Sequence, residues 1–459
     1  MTVAEDANPR AYAENARYQK SWYWYDWANS AFVTTTQTVL FGPFITAIAK
    51  SAACPGIADD ADCTKNVHFL GIPVAAGSVS SFTTTVATII SFVVLIAIGP
   101  IADRSPRPAR LLGIFAFTGA VPACLLFFVT GANWLLGVVL MVLATSLLGG
   151  SLVVYNSILC RIAAPDDRDR VSSRGWAWGY LGGGLLLAIN LGLLQAADHL
   201  GITKGLAARI SLLSAGLWWA AFTLIPVIGM WRLRGTPIGD AAKATLTSSW
   251  NQLVDTARDL KHYPHTRMFL LAYLFFNDGI QTVINSASIY GSEQLKFSQV
   301  QLFELILMVQ FVAFGGALLF GRFAARYGAY RTVLWSLVAW IVIVALAYPL
   351  PAGSFLPFVA LGVGIGIVLG GSQALSRSLF SQLIPPKREA EYFSFYQAME
   401  RGTSWFGTLT FGVVYQLTHS YRNAIVALII FFVLGGWLLR KVDVRQGILD
   451  AGNQVPHVV

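Results

Sequence analysis

The sequence predicts an all-α integral membrane protein, with twelve transmembrane helices in two homologous six-helix halves. Three observations predict it. Hydrophobic residues make up 55% of the 459, charged residues only 12%, and the mean hydropathy is +0.60. A soluble chain of this length with so few charges could not cover its own surface. Twelve apolar runs are each long enough to cross about 30 Å of hydrocarbon. Finally, short stretches of the first six runs recur in the last six. Helices are the fitting element for such runs, because backbone groups in lipid must find their partners within the segment.

Taken in order, the spans cover approximately 22–49, 78–101, 110–130, 135–160, 175–197, 209–231, 267–290, 302–324, 331–350, 356–382, 393–417 and 421–440. The stretch ahead of span 1 is polar and mixed in charge, and reads as a cytosolic lead-in rather than a signal peptide. Orientation follows from Lys and Arg. With both termini cytoplasmic, inside segments hold 24 of the 32 and outside loops hold 6 (Lys50, Lys65, Lys204, Arg209, Lys296 and Arg422), while Arg377 and Arg401 remain within spans. This bias accounts for the net charge of +9 without invoking nucleic acid.

The longest outside loop, 51–77, contains Cys54 and Cys63, which could close a small disulfide loop in an oxidising compartment or stay as free thiols. Cys124 and Cys160 lie in apolar spans as packing residues, and no metal site is expected. The absence of any N-x-Ser/Thr sequon favours a bacterial plasma (inner) membrane. Residues 232–266 form the long cytosolic linker between an N-terminal half (1–231) and a C-terminal half (267–441), with a cytosolic tail at 442–459. Within the linker, Trp250, Leu253, Val254, Ala257 and Leu260 follow helical spacing and predict an amphipathic helix on the membrane surface.

The halves show internal similarity. GGSLVVYNSILCRIAAP (149–165) aligns with GGSQALSRSLFSQLIPP (370–386) at an offset of 221 with five identities, and GPIADR (99–104) with GRFAAR (321–326) at an offset of 222. Asp26 then falls near Asp278, at an offset of 252 that an insertion at loop 51–77 absorbs.

The loop GPIADRSPRPAR after span 2 resembles the signature loop of the major facilitator superfamily, through Gly99, Asp103, Arg104 and Arg107, with Pro106 in place of the usual second glycine. The glycine permits close helix approach, and the aspartate and arginines can form a latch on the cytoplasmic face, assisted by helix-end dipoles. The second copy keeps Gly321, Arg326 and Gly328, but Ala325 replaces the aspartate, so a second latch is incomplete. The segments YDWANSAF (25–32), GYLGGGLLLAIN (179–190), FFNDGIQTVI (275–284) and GGSQALSRSLFSQLIPPKREAEYFSFY (370–396) resemble the subfamily of the yeast vacuolar, autophagy-related amino-acid effluxer and its bacterial relatives. That resemblance implies a twelve-helix alternating-access transporter whose cavity is lined by spans 1, 4, 7 and 10. It says less about the substrate.

Polar stripes at helical spacing mark the candidate residues. Span 1 carries Asp26, Asn29 and Gln37, span 4 Asn156, span 7 Asp278, Gln281 and Asn285, span 10 Gln373 and Arg377, and span 11 Gln397, Glu400 and Arg401. Asp26, Asp278 and Glu400 are the expected ion-coupling carboxylates, and the others line the substrate cavity. Asp278 lies roughly 16 Å into span 7 at 1.5 Å per residue and takes the deeper role, with Asp26 a gate or relay near the cytoplasmic mouth. Arg377 and Arg401 would attract an anionic group. Structural readings stand beside these: ion pairs Glu400–Arg401 or Arg377–Asp278 that only hold helices together, and Asp26 as a headgroup-level anchor. Glycines 182–184, 362, 366 and 370 read as close-packing positions.

No H-E-x-x-H, P-loop or acidic metal cluster within a span points to an enzyme. The expected function is secondary active transport of a small polar solute, most suitably amino acids or related zwitterions and anions, coupled to protons or sodium, in the export direction and as a monomer. A lipid or amphiphile flippase of major facilitator type is the alternative. Partners are the solute, membrane lipids and the coupling ion, with no cofactor.

Overall fold

Span 1 is longer than its apolar run. In the computed structural model, which describes residues 9–55, 63, 65–69, 71–235, 256, 258–402 and 405–459, Pro9–Ala31 are α-helical, Phe32–Leu40 widen into a π-helix, and Phe41–Ala53 resume the α-helix. The π segment holds Val33 and the buried run Thr34, Thr35 and Thr36. Consecutive β-branched side chains crowd an ordinary helical turn.

Among the described residues, ten helices are long and apolar enough to cross a membrane, and they correspond to spans 1–6, 8–10 and 12. Spans 7 and 11 are helical where the sequence places them, as Pro264–Ile289 and as Glu389–Gly402 with Trp405–Thr418. Span 7 falls short on composition because Asn277, Asp278, Gln281, Thr282 and Asn285 interrupt it, and span 11 is described as two stretches on either side of 403–404. Large apolar side chains, among them Ile89, Val121, Ile189, Val338 and Val433, point outward and exposed. Water would not tolerate such a belt; lipid does.

One hydrophobic cluster runs from Tyr18 to Leu233 and another from Leu260 to Ile448. Where the halves interlock, buried Ala390 joins the first cluster and buried Tyr180 the second, with Phe303, Ile306 and Leu307 packed against the first and Cys160 and Trp176 against the second. The amphipathic-helix expectation falls largely on 236–255 and 257, outside the described residues, although Leu260 is buried in the second cluster. In the 51–77 loop, Cys54 and Cys63 are disulfide-bonded. The following hairpin pairs Asn66–Phe69 antiparallel with Ile72–Ala75, and Gly71 takes φ +84° in its turn.

The repeat is visible in space. Cys160 donates to the Ser381 carbonyl at 3.8 Å and Arg377 Nη1 to Asn156 Oδ1 at 3.5 Å, each pair being 221 residues apart, which is the repeat offset. Equivalent residues of two repeats meet only where a pseudo-twofold axis passes between them. Glycines at equivalent positions also do the same job: a Cβ on Gly150 would strike Ile98, and one on Gly371 would strike the Phe320 ring.

An even number of spans puts both termini on one side, here called the terminal face. There the halves are tied together. Arg168 Nη1 donates to the Ser381 carbonyl at 2.7 Å, Ser378 Oγ to Asp169 at 2.6 Å, and Ser172 Oγ to the Ala374 carbonyl at 2.7 Å. The tail adds a strap after the short helix Val444–Asp450. Asn453 Nδ2 donates to the carbonyls of Gln382 and Ile384 at 2.8 and 2.7 Å, and the His457 N–H reaches Asp166 of the first half at 2.7 Å.

Candidate solute and gating site

A buried cation organises the junction between the halves. Arg377 projects from span 10 (Phe355–Gln382) and is 3% exposed. Its Nη1 and Nη2 both donate to Asp26 Oδ2 at 3.2 Å, and its Nε donates to Ser172 Oγ at 2.9 Å. Nη2 also donates to the Ser172 carbonyl at 2.9 Å. The guanidinium lies 4.9, 5.5 and 5.4 Å from the ring centres of Trp22, Tyr155 and Trp176, a cation–π cage. The Tyr155 hydroxyl donates to Asp26 Oδ2 at 2.7 Å, so the carboxylate is held from two sides. Spans 1, 4, 5 and 10 thus converge on one ion pair, and a guanidinium suits it because its planar fork supplies several donors at fixed angles.

The backbone of span 5 makes room for this pair. A Cβ on Gly175 would sit 2.7 Å from Asp26 Oδ2 and 2.7 Å from the Trp22 ring. Further along the span, Gly179 packs on Ser30 and Gly183 on Thr34, which brings spans 5 and 1 into backbone contact as the close-packing reading of the glycines anticipates.

Several residues lie elsewhere than their spacing along the chain suggests. Asp26 does not sit at the mouth; it is 5% exposed and sealed between the halves, because span 1 extends well beyond its apolar run toward the terminal face. Arg377 pairs with Asp26, not Asp278. Asp278 is fully buried within the second half, where its Oδ2 accepts the Gly407 N–H at 2.7 Å and its Oδ1 has no hydrogen-bond partner among the described residues. Its neighbour Asn277 reaches span 10, accepting from Gln373 Nε2 at 2.8 Å, while its Nδ2 donates to the Glu400 carbonyl of span 11 at 3.4 Å. Adjacent residues point about 100° apart on a helix, so only one of the two can face span 10.

Of the remaining predicted residues, Asn156 touches Arg377, and Gln397 donates to Glu400 at 2.7 Å. Asn29 spends its amide on the Tyr25 carbonyl of its own helix at 2.6 Å, and Gln37 donates to Thr145 of span 4 at 2.9 Å. Gln281 is half-buried and Asn285 exposed, so the span 7 stripe becomes accessible away from the terminal face. The side chain of Arg401 lies outside the described residues. The pairing of Arg377 with Ser172 and the cage of Tyr155 and Trp176 left no sequence signal, since these residue types are common in any apolar bundle.

The aspartate of the loop after span 2 meets the start of the span 11 helix. Asp103, at the end of span 2 (Val79–Asp103), accepts the backbone N–H groups of Ala390 and Glu391 at 2.9 and 2.8 Å. A carboxylate on the first turn of a helix satisfies orphan donors and meets the positive end of the dipole. Gly99 allows this approach, since its Cβ would lie 2.8 Å from Glu391 Cα. Arg388 then joins Glu391 at 3.0 Å to the linker end, through Asp259 at 2.8 Å and Thr256 at 2.6 Å. Burial opposes the Arg388 charge, but Glu391 and Asp259 outweigh it and raise its pKa above the ordinary arginine value. Arg104 and Arg107 are half-buried beside Asp103. In the second copy, Gly321 packs on Ser173 across the halves, whereas Arg326 is exposed and stacks on its neighbour Tyr327 at 5.3 Å. Ala325 leaves that arginine without the neighbouring acid that the first copy has in Asp103.

The profile of the family described as "Vacuole effluxer Atg22 like" matches residues 14–452. The chain belongs to this family. Among its relatives, the Bacillus subtilis protein named "Uncharacterized MFS-type transporter YxiO" is 28% identical over 91% of this chain and 93% of its own. "Autophagy-related protein 22" of Yarrowia lipolytica is 25% identical over 84% of this chain and 79% of its own. Solved structures with the same fold include a bacterial homologue of the iron transporter ferroportin in an outward-facing state with soaked iron. It has a TM-score of 0.65 at 12% identity, covering 93% of this chain and 98% of that one. The human organic anion transporter MFSD10 has a TM-score of 0.63 at 14% identity, covering 94% and 100%. The fold is the twelve-helix major facilitator fold, and the Atg22-like chain is a transporter, not an enzyme.

Proposed function

We propose that this Atg22-like transporter moves a small polar solute bearing a carboxylate, best suited to amino acids, by alternating access, acting as a monomer. The observation that carries the reading is the buried Asp26–Arg377 pair between the halves. An uncompensated buried charge costs several kcal/mol, so Arg377 holds about one carboxylate at a time. A solute carboxylate that binds Arg377 displaces Asp26, which then takes a proton. Solute and proton travel together, so a pH gradient drives flux from the more acidic side, and export across a plasma membrane runs down the outward gradient of the solute itself. Asp278 and Glu400 are further candidates for ion occupancy, and the ties at Asp103, Arg168 and Asp169 close the terminal face in this state.

The charge bias of 24 against 6 supports a cytoplasmic terminal face, and the absence of an N-x-Ser/Thr sequon supports a plasma-membrane location. The test is counterflow and efflux in proteoliposomes with an amino-acid panel, with and without a pH gradient. Amino-acid flux that responds to the gradient in the wild type and loses that response in Asp26→Asn supports the reading. An unaltered pH response in Asp26→Asn removes Asp26 from coupling, and the same outcome in Asp278→Asn removes Asp278.

A further inference from the structure

Solute ammonium groups and alkali ions make the same demand on a protein: a compact positive charge surrounded by oxygen acceptors. Such acceptors gather around Glu400 on spans 7, 10 and 11. Gln397 Nε2 donates to Glu400 Oε2 at 2.7 Å, Asn277 Nδ2 to the Glu400 carbonyl at 3.4 Å, and Gln373 Nε2 to Asn277 Oδ1 at 2.8 Å. These bonds use amide hydrogens and leave oxygens over. Among the described residues, Gln373 Oε1 and Gln397 Oε1 are buried with no donor. The Tyr273 ring stacks on Tyr396 at 4.1 Å, with its hydroxyl near Glu400. Both glutamines are 3% exposed. Each orphaned oxygen carries the desolvation cost of an unmade hydrogen bond, and two such acceptors beside the Glu400 carboxylate call for a ligand that supplies positive charge.

The cluster is also well placed. Gln373 precedes Arg377 by four residues on span 10, so it lies on the same helix face about 6 Å along the axis.

We propose that Gln373, Gln397 and Glu400, with Asn277 and Tyr273 around them, form the subsite for a small monovalent cation: the ammonium group of the solute or an alkali ion carried with it. The proposal rests on the reading that Arg377 takes the solute carboxylate, and it assigns the other pole.

The test compares purified wild type with Glu400→Gln, Gln397→Met and Gln373→Met, each checked for folding by thermal melting. Probes are radiolabelled serine, leucine and lysine, plus isocaproate, which keeps the carbon skeleton and carboxylate of leucine but has no ammonium group. Buffers contain sodium or N-methylglucamine. A roughly tenfold loss of leucine affinity in folded variants, with isocaproate unchanged, assigns the subsite to the solute ammonium. A roughly tenfold fall in wild-type affinity on sodium removal, absent from the variants, assigns it to the ion. Folded variants with wild-type leucine affinity and wild-type sodium response overturn the proposal. If the wild type binds no amino acid, the solute reading fails, and binding of radioactive sodium decides the subsite: retention lost in Glu400→Gln supports it, and no retention overturns it.

Discussion

Replacing Asp26 by Asn removes one charge from a pair sealed between the halves and leaves Arg377 as a buried cation that cannot shed its proton. Removing one partner of a buried pair costs about 3–5 kcal/mol. Here the loss is softened, because the Ser172 hydroxyl and carbonyl still accept from Arg377 and three aromatic faces at 4.9–5.5 Å remain. With the cage and the Ser172 acceptors still around the guanidinium, the expected net destabilisation lies at the low end of that range, about 3 kcal/mol. Arg377→Met costs less, about 1–2 kcal/mol, because Asp26 keeps the Tyr155 hydroxyl and can take a proton to become neutral. The double variant buries no charge, so the two costs do not add, and a coupling energy of about 2 kcal/mol is expected. Unfolding free energies from titration with SDS in mixed micelles give all four corners of the cycle. A coupling below about 0.5 kcal/mol, or Arg377→Met more damaging than Asp26→Asn, would refute the assignment of this pair as the charge-balanced junction.

Gly175→Ala drives a methyl group into Asp26 and Trp22, and overpacking of this kind costs about 1–3 kcal/mol. A lowered melting temperature is expected together with lost transport, and wild-type values for both would contradict the close approach. Asp103→Ala leaves two helix N–H groups without their acceptor and should cost about 1–2 kcal/mol, loosening the terminal face. Alkylation of a cysteine placed at Ser394 should then speed up, and an unchanged rate would argue against the latch. The Cys54–Cys63 bond closes a short loop, for which chain entropy gives about 2.5 kcal/mol. Maleimide should label these two positions only after reduction. Truncation after Gly452 removes the strap formed by Asn453 and His457, and exchange of backbone amides at the ends of spans 5 and 10 should rise on the terminal face.

Much of the architecture was legible along the chain. Apolar length identifies the spans because lipid leaves the backbone no alternative partner, and the helices of spans 7 and 11 sit where the sequence puts them despite their polar stripes. The 221-residue offset was likewise readable, and it returns in space as the Asn156–Arg377 and Cys160–Ser381 contacts. Asp103 was singled out by its position after span 2, and it accepts from the first turn of span 11.

Which residues meet was decided by tertiary structure. Asp26 and Arg377 lie 351 positions apart, and nothing local to either names the other. The choice between Asn277 and Asp278 as the residue facing span 10 depends on a rotation of span 7 about its axis, set by side chains it packs against rather than by its own pattern. The same holds for Tyr155, Ser172 and Gly175, ordinary residues whose importance comes from four helices crossing at one point. Hydropathy and charge bias are properties of single segments, and the sequence by itself determined the bundle and its two halves. A buried ion pair is a property of packing between segments, and only the folded chain decided where the charges find each other.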